Sequence, residues 1–393
     1  MNKHLWTSAL MAAGVVSTAA VVQAEEAEMH PVVSAVQSTT ISGYVNTSAI
    51  LKFGEANGYA LPGRSFDGVS KQNGFNLDVV SLAVEKPVGD ENWSAGYRAQ
   101  MLFGPDANTL GSVSTGGNDS DFALKNAYVS LRAPLGSGLN LKMGVWDTLI
   151  GYEVFDAGNN PNYSRSYGFY IEPIVHTGLQ ASYALADWLT LAGGVANGIE
   201  DRAFYNKTNA RAKDSTNGEF YYEKLTYLGT VALTAPESMG FLAGATVYGG
   251  IVYSGIAEDA AGSDDIVNYY AGATLPTPAK ALTVGAAFDY QVNGMFDDSY
   301  ASAIAGYLSI QLSEKLKLNA RGEYATGSEG AYGTVTTDNP ELLGVVGTLD
   351  YSLWAGAITR LEFRWDHDMS GDNVFGTDED DVMSLALNTI FKF

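Results

Sequence analysis

From about residue 39 onward the chain alternates apolar and polar positions with a period of two. Over 383–393, Met383, Leu385, Leu387, Thr389, Phe391 and Phe393 share one face, and Ser384, Ala386, Asn388 and Lys392 the other. Over 316–324, Leu316, Leu318, Ala320 and Tyr324 alternate with Lys317, Asn319, Arg321 and Glu323. Leu361, Phe363 and Trp365 alternate with Arg360, Glu362, Arg364 and Asp366. Trp93, Ala95, Tyr97, Ala99, Met101 and Phe103 alternate with Ser94, Arg98 and Gln100. Such a period belongs to β-strands with one apolar and one polar face. The polar face carries Arg, Lys and Glu in mid-strand, which a dry core would penalise heavily. A wet interior accommodates them.

About sixteen such segments are predicted: 39–53, 75–87, 92–104, 122–133, 138–146, 173–185, 187–199, 221–235, 240–254, 265–276, 280–294, 299–313, 315–327, 340–353, 357–369 and 378–393. The second, fourth and tenth alternate poorly. Connections after even-numbered segments are short and turn-like: KPVGDE, APLGSG, LAD, APESM, LPTPA, SEK and WAG. Those after odd-numbered segments are mostly longer: 54–74, 105–121, 147–172, 200–220, 255–264, 328–339 and 370–377. The pattern predicts an all-β fold, a transmembrane antiparallel up-and-down β-barrel with short periplasmic turns and long external loops. A soluble β-sandwich or propeller is the alternative, and it calls for shorter strands and drier inward faces.

The N-terminus changes the compartment. Lys3 and His4 precede an apolar, small-residue run from Leu5 to Val22, and VQA ends at Ala24. This predicts a signal peptide over 1–24, a short polar periplasmic leader over 25–38 and a single barrel domain over 39–393. A retained anchor helix fits the Ala/Gly-rich run and its cleavage-like end less well. No later stretch offers the roughly 18–20 apolar residues of a spanning helix. A mature membrane protein would then have to be a closed barrel, since every backbone polar group in hydrocarbon needs a partner within the protein. Both termini are expected on the periplasmic side of an outer membrane.

Composition narrows the partners. The formal net charge of −22 argues against nucleic acid. The absence of Cys removes disulfides and Cys-based metal sites. Acidic clusters at Glu258-Asp259, Asp264-Asp265, Asp297-Asp298 and 378–381 fall in predicted external loops, where their field would favour cations. Neither a metal site nor a cofactor is expected, and no catalytic residue is assigned. His30, His176 and His367 have no nucleophile motif beside them, and there is no phosphate loop and no HExxH. Aromatics collect near segment ends: Trp93 and Phe103, Tyr183 and Trp188, Tyr351 and Trp354, Phe391 and Phe393.

The signal peptide, ISGYVNTSA in the first segment, KNAYVSLRAPLG around the fourth, and the terminal NTIFKF resemble outer-membrane porins. NNPNYSRSYGFYIEPIVHTGLQASY, within residues 155–183, resembles the segment characteristic of the OmpL-like β-barrel porin family. The resemblance implies an outer-membrane pore for passive diffusion of small hydrophilic solutes, and acidity adds a weak cation preference. It also brings the partners expected of a porin: outer-membrane lipid, the barrel-assembly machinery reading Phe391 and Phe393, and a homotrimer. A sugar-specific channel and a structural or adhesive barrel are the rival readings.

By analogy with general porins, the long aromatic stretch 147–172 is expected to fold into the lumen. Gly151, Gly158 and Gly168 permit its bends, and Asn159-Asn160-Pro161 is a turn signal. Tyr163, Tyr167, Phe169 and Tyr170 would pack on the wall or, in the sugar reading, form a stacking track. Glu153 and Asp156 would form an acidic side facing Arg98, Arg132 and Lys142, so that charge lines the narrowest point. Arg165 would be a pore residue or a pin to a wall carboxylate. Arg321, Glu323, Arg360, Glu362 and Arg364 are expected to stiffen the wall by lateral ion pairs.

Overall fold

The computed structural model describes residues 38–54, 61–68, 71–110, 120–198, 225–255, 265–292, 299–334, 337–376 and 378–393. Sixteen strands form a closed antiparallel barrel: β1 (Thr40–Phe53), β2 (Gly74–Lys86), β3 (Ala95–Phe103), β4 (Phe122–Ala133), β5 (Leu139–Asp147), β6 (Val175–Ala186), β7 (Leu189–Asn197), β8 (Leu225–Thr234), β9 (Thr246–Ser254), β10 (Ile266–Pro276), β11 (Leu282–Val292), β12 (Tyr300–Gln311), β13 (Leu316–Gly327), β14 (Glu341–Trp354), β15 (Ala357–Asp368) and β16 (Asp381–Lys392). All sixteen predicted strands are present, and most bounds fall within a few residues of prediction. The ninth starts late, because Glu237–Leu242 is a 3-10 turn. The predicted signal peptide, nearly all of the leader, and the clusters at 258–259 and 297–298 lie outside the described residues.

Each strand pairs with its sequence neighbours, and β1 pairs with β16. Gly43 and Phe393 exchange backbone hydrogen bonds of 2.9 and 3.0 Å, carrying the closing seam to the last residue. Closure removes the edges that hydrocarbon would leave unpaired. Along β16 exposed and buried positions alternate, with Met383, Leu385, Leu387 and Phe391 outward and Ser384, Asn388 and Ile390 inward. The outward row continues through Leu361 and Phe363 on β15 and Leu349 on β14. A contiguous apolar belt suits lipid and would be untenable in water. No helix of the described chain is long and apolar enough to cross a membrane.

Four ladders shift register, at β1–β2, β3–β4, β6–β7 and β14–β15, and the first two carry charges. In the β1–β2 ladder Asn46 faces Val79 and Thr47 faces Leu77, skipping Asp78. In the β3–β4 ladder Gln100 faces Asn126 and Met101 faces Leu124, skipping Lys125. Each extra residue is a charge turned into the buried interior.

Small inward residues make room for loops. Ala301 and Ala303 on β12 and Ala325 on β13 pack with Leu61, Tyr167, Ile171, Tyr332 and Phe375, all from loops on the long-connection end. Two short helices lie among these loops: α1 (Pro105–Asn108) and α2 (Tyr167–Ile171).

Candidate functional site

The segment between β5 and β6 builds itself first. Asn160 Nδ2 donates to the Val154 carbonyl at 2.7 Å, and its Oδ1 accepts from Val154 N at 2.8 Å. Arg165 donates from Nε, Nη1 and Nη2 to the carbonyls of Val154, Tyr163 and Phe155 at 3.1, 2.8 and 2.8 Å. Ser166 caps α2, its hydroxyl accepting from Phe169 N at 3.2 Å. Gly168 is required by close approach, because a Cβ there would collide with the Asp289 carboxylate.

The segment then docks on strands far from its own. Arg321 on β13 donates to Glu153 Oε1 at 2.9 Å and to the Ser164 and Arg165 carbonyls, each at 2.9 Å. Glu362 on β15 accepts from the backbone N–H of Tyr163 and Ser164 at 2.6 and 2.9 Å. Arg360 holds the carbonyls of Ala157 and Asn160, both at 2.9 Å, and Arg364 holds that of Arg165 at 2.8 Å. Glu323 accepts from Tyr167 N at 2.7 Å, and Tyr167 Oη donates to Asp366 at 2.5 Å. Lys392 on β16 reaches the Gly158 carbonyl at 3.0 Å. The inward charges of β13 and β15 thus mainly hold loop backbone, where lateral ion pairs stiffening the wall were expected. One lateral pair between neighbouring strands is present, Arg360–Asp350 at 2.8 Å, while Arg321–Glu323 at 3.0 Å runs along β13 itself. The reason is geometric: a loop carbonyl or N–H pressed against the wall is buried away from water, an orphan polar group that a charged side chain satisfies well.

The expected acidic side divides. Glu153 turns to β13, its carboxylate committed to Arg321 and to the Ser166 N–H at 2.8 Å. Asp156 comes to the basic wall, but the cation it meets is Lys125 at 3.3 Å, with Tyr44 and Gln100 each donating at 3.0 Å. Burial works to raise the Asp156 carboxyl; Lys125, Arg98 and these hydrogen bonds outweigh it and hold the group below the ordinary aspartate range. Arg165 meets neither expectation. It is buried, bonded to loop carbonyls, and stacked at 5.3 and 5.6 Å over Phe66 and Phe169.

The loop aromatics are packed. Tyr167 lies under Arg364 at 5.2 Å and edge-on to Tyr332 at 5.9 Å; Tyr170 also contacts Tyr332, and Tyr163 lies 5.5 Å from Lys71 Nζ. The inward wall also holds tyrosines that the strand pattern understated: Tyr248, Tyr270 and Tyr307, with Tyr152 stacked on Tyr307 at 4.0 Å. Trp146, Leu149 and Ile150 cover them, so they form packing and not an open track.

Sequence reasoning missed several partners. The loop after β1 also reaches inward: Arg64 ion-pairs with Asp366, and Lys71 meets Asp106 at 2.8 Å and Asp78 at 3.2 Å. Glu172 lies buried against Asp289 on β11, and burial, reinforced by that second carboxyl, pushes its carboxyl well above the ordinary glutamate range.

Between the segment and β1–β6 lies a chamber of about 870 Å³. It extends to the β2–β3 turn and Phe393, at the short-turn end. Arg98, Lys125, Arg132 and Lys142 line the wall of β3–β5, and Asp156 and Asn159 line the loop side. The family model described as "Putative beta-barrel porin-2, OmpL-like" matches residues 38–393, the whole barrel.

The chain belongs to that family.

No curated protein sequence matches it. Three solved outer-membrane proteins share the architecture. They are OmpF of Salmonella typhi in complex with daunomycin (TM-score 0.60, 12% identity, 90% of this chain and 97% of that one), the outer-membrane channel DcaP of Acinetobacter baumannii (0.56, 12%, 90% and 97%), and the trimer form of Vibrio cholerae OmpT (0.54, 12%, 90% and 99%). At such identities the likeness is one of fold. An OmpL-like barrel porin with this closed sixteen-stranded fold is an outer-membrane barrel of the passive-pore type.

Proposed function

We propose that the protein lets small hydrophilic solutes diffuse passively across the outer membrane, and that residues 147–172 form its constriction. The observation that carries this reading is the docking of that loop on Arg321, Arg360, Glu362 and Arg364 while it borders the chamber. A narrowing element has to keep one position against thermal motion, and charge-assisted bonds to the wall hold it there. The reading places the short turns and both termini on the periplasmic side, with residues 1–24 removed on export. The acidic excess, 44 carboxylates against 22 Lys and Arg, favours weak cation preference set at the external loops. A homotrimer fits the outward apolar belt, and one fold relative is described as a trimer.

Liposome swelling with sugars of graded size tests the reading. A smooth decline of rate with size is expected. One sugar entering far out of sequence would instead indicate a specific channel, and no swelling at all would indicate a structural barrel. The covered tyrosines favour the first outcome.

A further inference from the structure

The chamber cations differ in what satisfies them. Arg98 Nη1 meets Glu85 at 2.5 Å and Nε donates to Asn126 at 3.2 Å. Lys125 sits between Asp147 at 2.7 Å and Asp156 at 3.3 Å. Lys392 has two acceptors on the loop, the Gly158 carbonyl and Asn159 Oδ1, at 3.0 and 3.2 Å. Arg132 and Lys142 stand apart. Arg132 donates to the Ser137 carbonyl at 2.6 Å and to Asn140 Oδ1 at 3.4 Å, and no described carboxylate pairs with it. Lys142 has neither an acceptor nor a carboxylate partner among the described residues. Its ammonium lies 5.0 Å from the centre of the Tyr128 ring.

The carboxylates around the chamber are committed to other partners, and Asp147 and Glu85 act on Lys142 only through space. Glu85, Asp147 and Asp156 are paired as above, and Glu153 is paired with Arg321 on β13. Glu172, held with Asp289, favours its neutral form. Asp90 stands exposed on the β2–β3 turn.

Register brings the two cations together. Ser130 faces Lys142 and Arg132 faces Asn140, so Arg132 and Lys142 are diagonal neighbours on the inner face of β4–β5. Diagonal partners lie about 7–8 Å apart at Cα and closer at Cβ, within reach of one small ligand for two long side chains. Arg132 lies close over the turn: Gly138 has φ +102°, and a Cβ there would strike the guanidinium. A planar fork held by two acceptors beside a point charge with none is an arrangement that receives a carboxylate, one oxygen to each.

We propose that Arg132 and Lys142, with Tyr128 beneath Lys142, form a subsite that binds small carboxylate anions in the chamber. The subsite rests on the pore reading for its physiological role, since solutes must traverse the chamber. Its occupancy is an equilibrium property of the folded barrel. The anion replaces water on two unpaired cations, dissociates readily, and makes the chamber oppose the cation-favouring field of the external loops.

Succinate titrated calorimetrically into the detergent-solubilised full-length barrel tests this. Saturable weak binding is expected for the wild type. Lys142→Gln and Arg132→Gln should each weaken it about tenfold, and Lys142→Arg should retain it. In bilayers under a KCl gradient, the two glutamine variants should shift the reversal potential toward the cation side. Absence of saturable wild-type binding overturns the subsite whatever the variants do, and so does binding unchanged by both glutamine substitutions. The two readings fail separately: succinate binding without any wild-type current sinks the pore, and current without succinate binding sinks the subsite.

Discussion

Glu172 is the residue at which burial and protonation are most tightly joined. Its carboxyl is buried at the foot of the loop, facing Asp289, with Glu153 the next nearest acid. Two carboxyls so placed cannot both ionise cheaply, so the fold favours a proton on Glu172. The stability this contributes is fully present below the ordinary glutamate pKa, and is lost as pH rises through the raised one. Urea unfolding of the wild type should therefore fall in midpoint from mildly acid to alkaline pH, and Glu172→Gln should flatten that fall. An identical pH profile in the variant would show that the proton is not held there. The neighbouring Asp156 behaves oppositely, its depressed pKa removing stability only as pH falls. The contrast comes from partners alone, since Asp156 faces Lys125 and Glu172 faces another acid. Neither partner could be read from local sequence, because both lie on other strands.

At the scale of elements, the docking of the loop on β13 and β15 is the main energetic commitment. Arg321 contacts Glu153, Glu323 and two loop carbonyls. Arg321→Met leaves buried Glu153 without its cation and Glu323 with Arg364 alone, at 3.6 Å, so a loss of about 3–5 kcal/mol is expected in urea unfolding of the refolded barrel. A loss below about 1 kcal/mol would mean that the loop is not held by this contact. The strands themselves were legible, because a half-wet, half-apolar strand must alternate and β13, β15 and β16 do so cleanly. The long connection 147–172 was legible as well, from its length, aromatics and Asn-Asn-Pro turn. Two of the missed charges share one cause. Asp78 and Lys125 are bulge residues, and a bulge inserts the extra residue that destroys period two. β2 and β4 therefore alternated poorly in sequence, and the feature that spoiled the pattern is the one that turns a charge inward. Arg165 illustrates the converse: a lone Arg in an aromatic loop suggests a pore charge, but nearby orphan carbonyls took its donors.

Over the described residues the molecule is a closed barrel with an apolar outer belt, several loops reaching inward, and a chamber of about 870 Å³ beside residues 147–172. On the proposed function, residues 147–172 narrow a conducting path. The chain has no native Cys, so one introduced thiol reports from one place. Asp156 is tied to Lys125, Tyr44 and Gln100, whereas Asn159 is exposed on the loop and lines the chamber. The most direct measurement is therefore single-channel conductance of Asn159→Cys in planar bilayers before and after a bulky charged thiol reagent. The account predicts stable channels whose current drops on modification and recovers on reduction. Channels whose current is untouched by complete modification would contradict it.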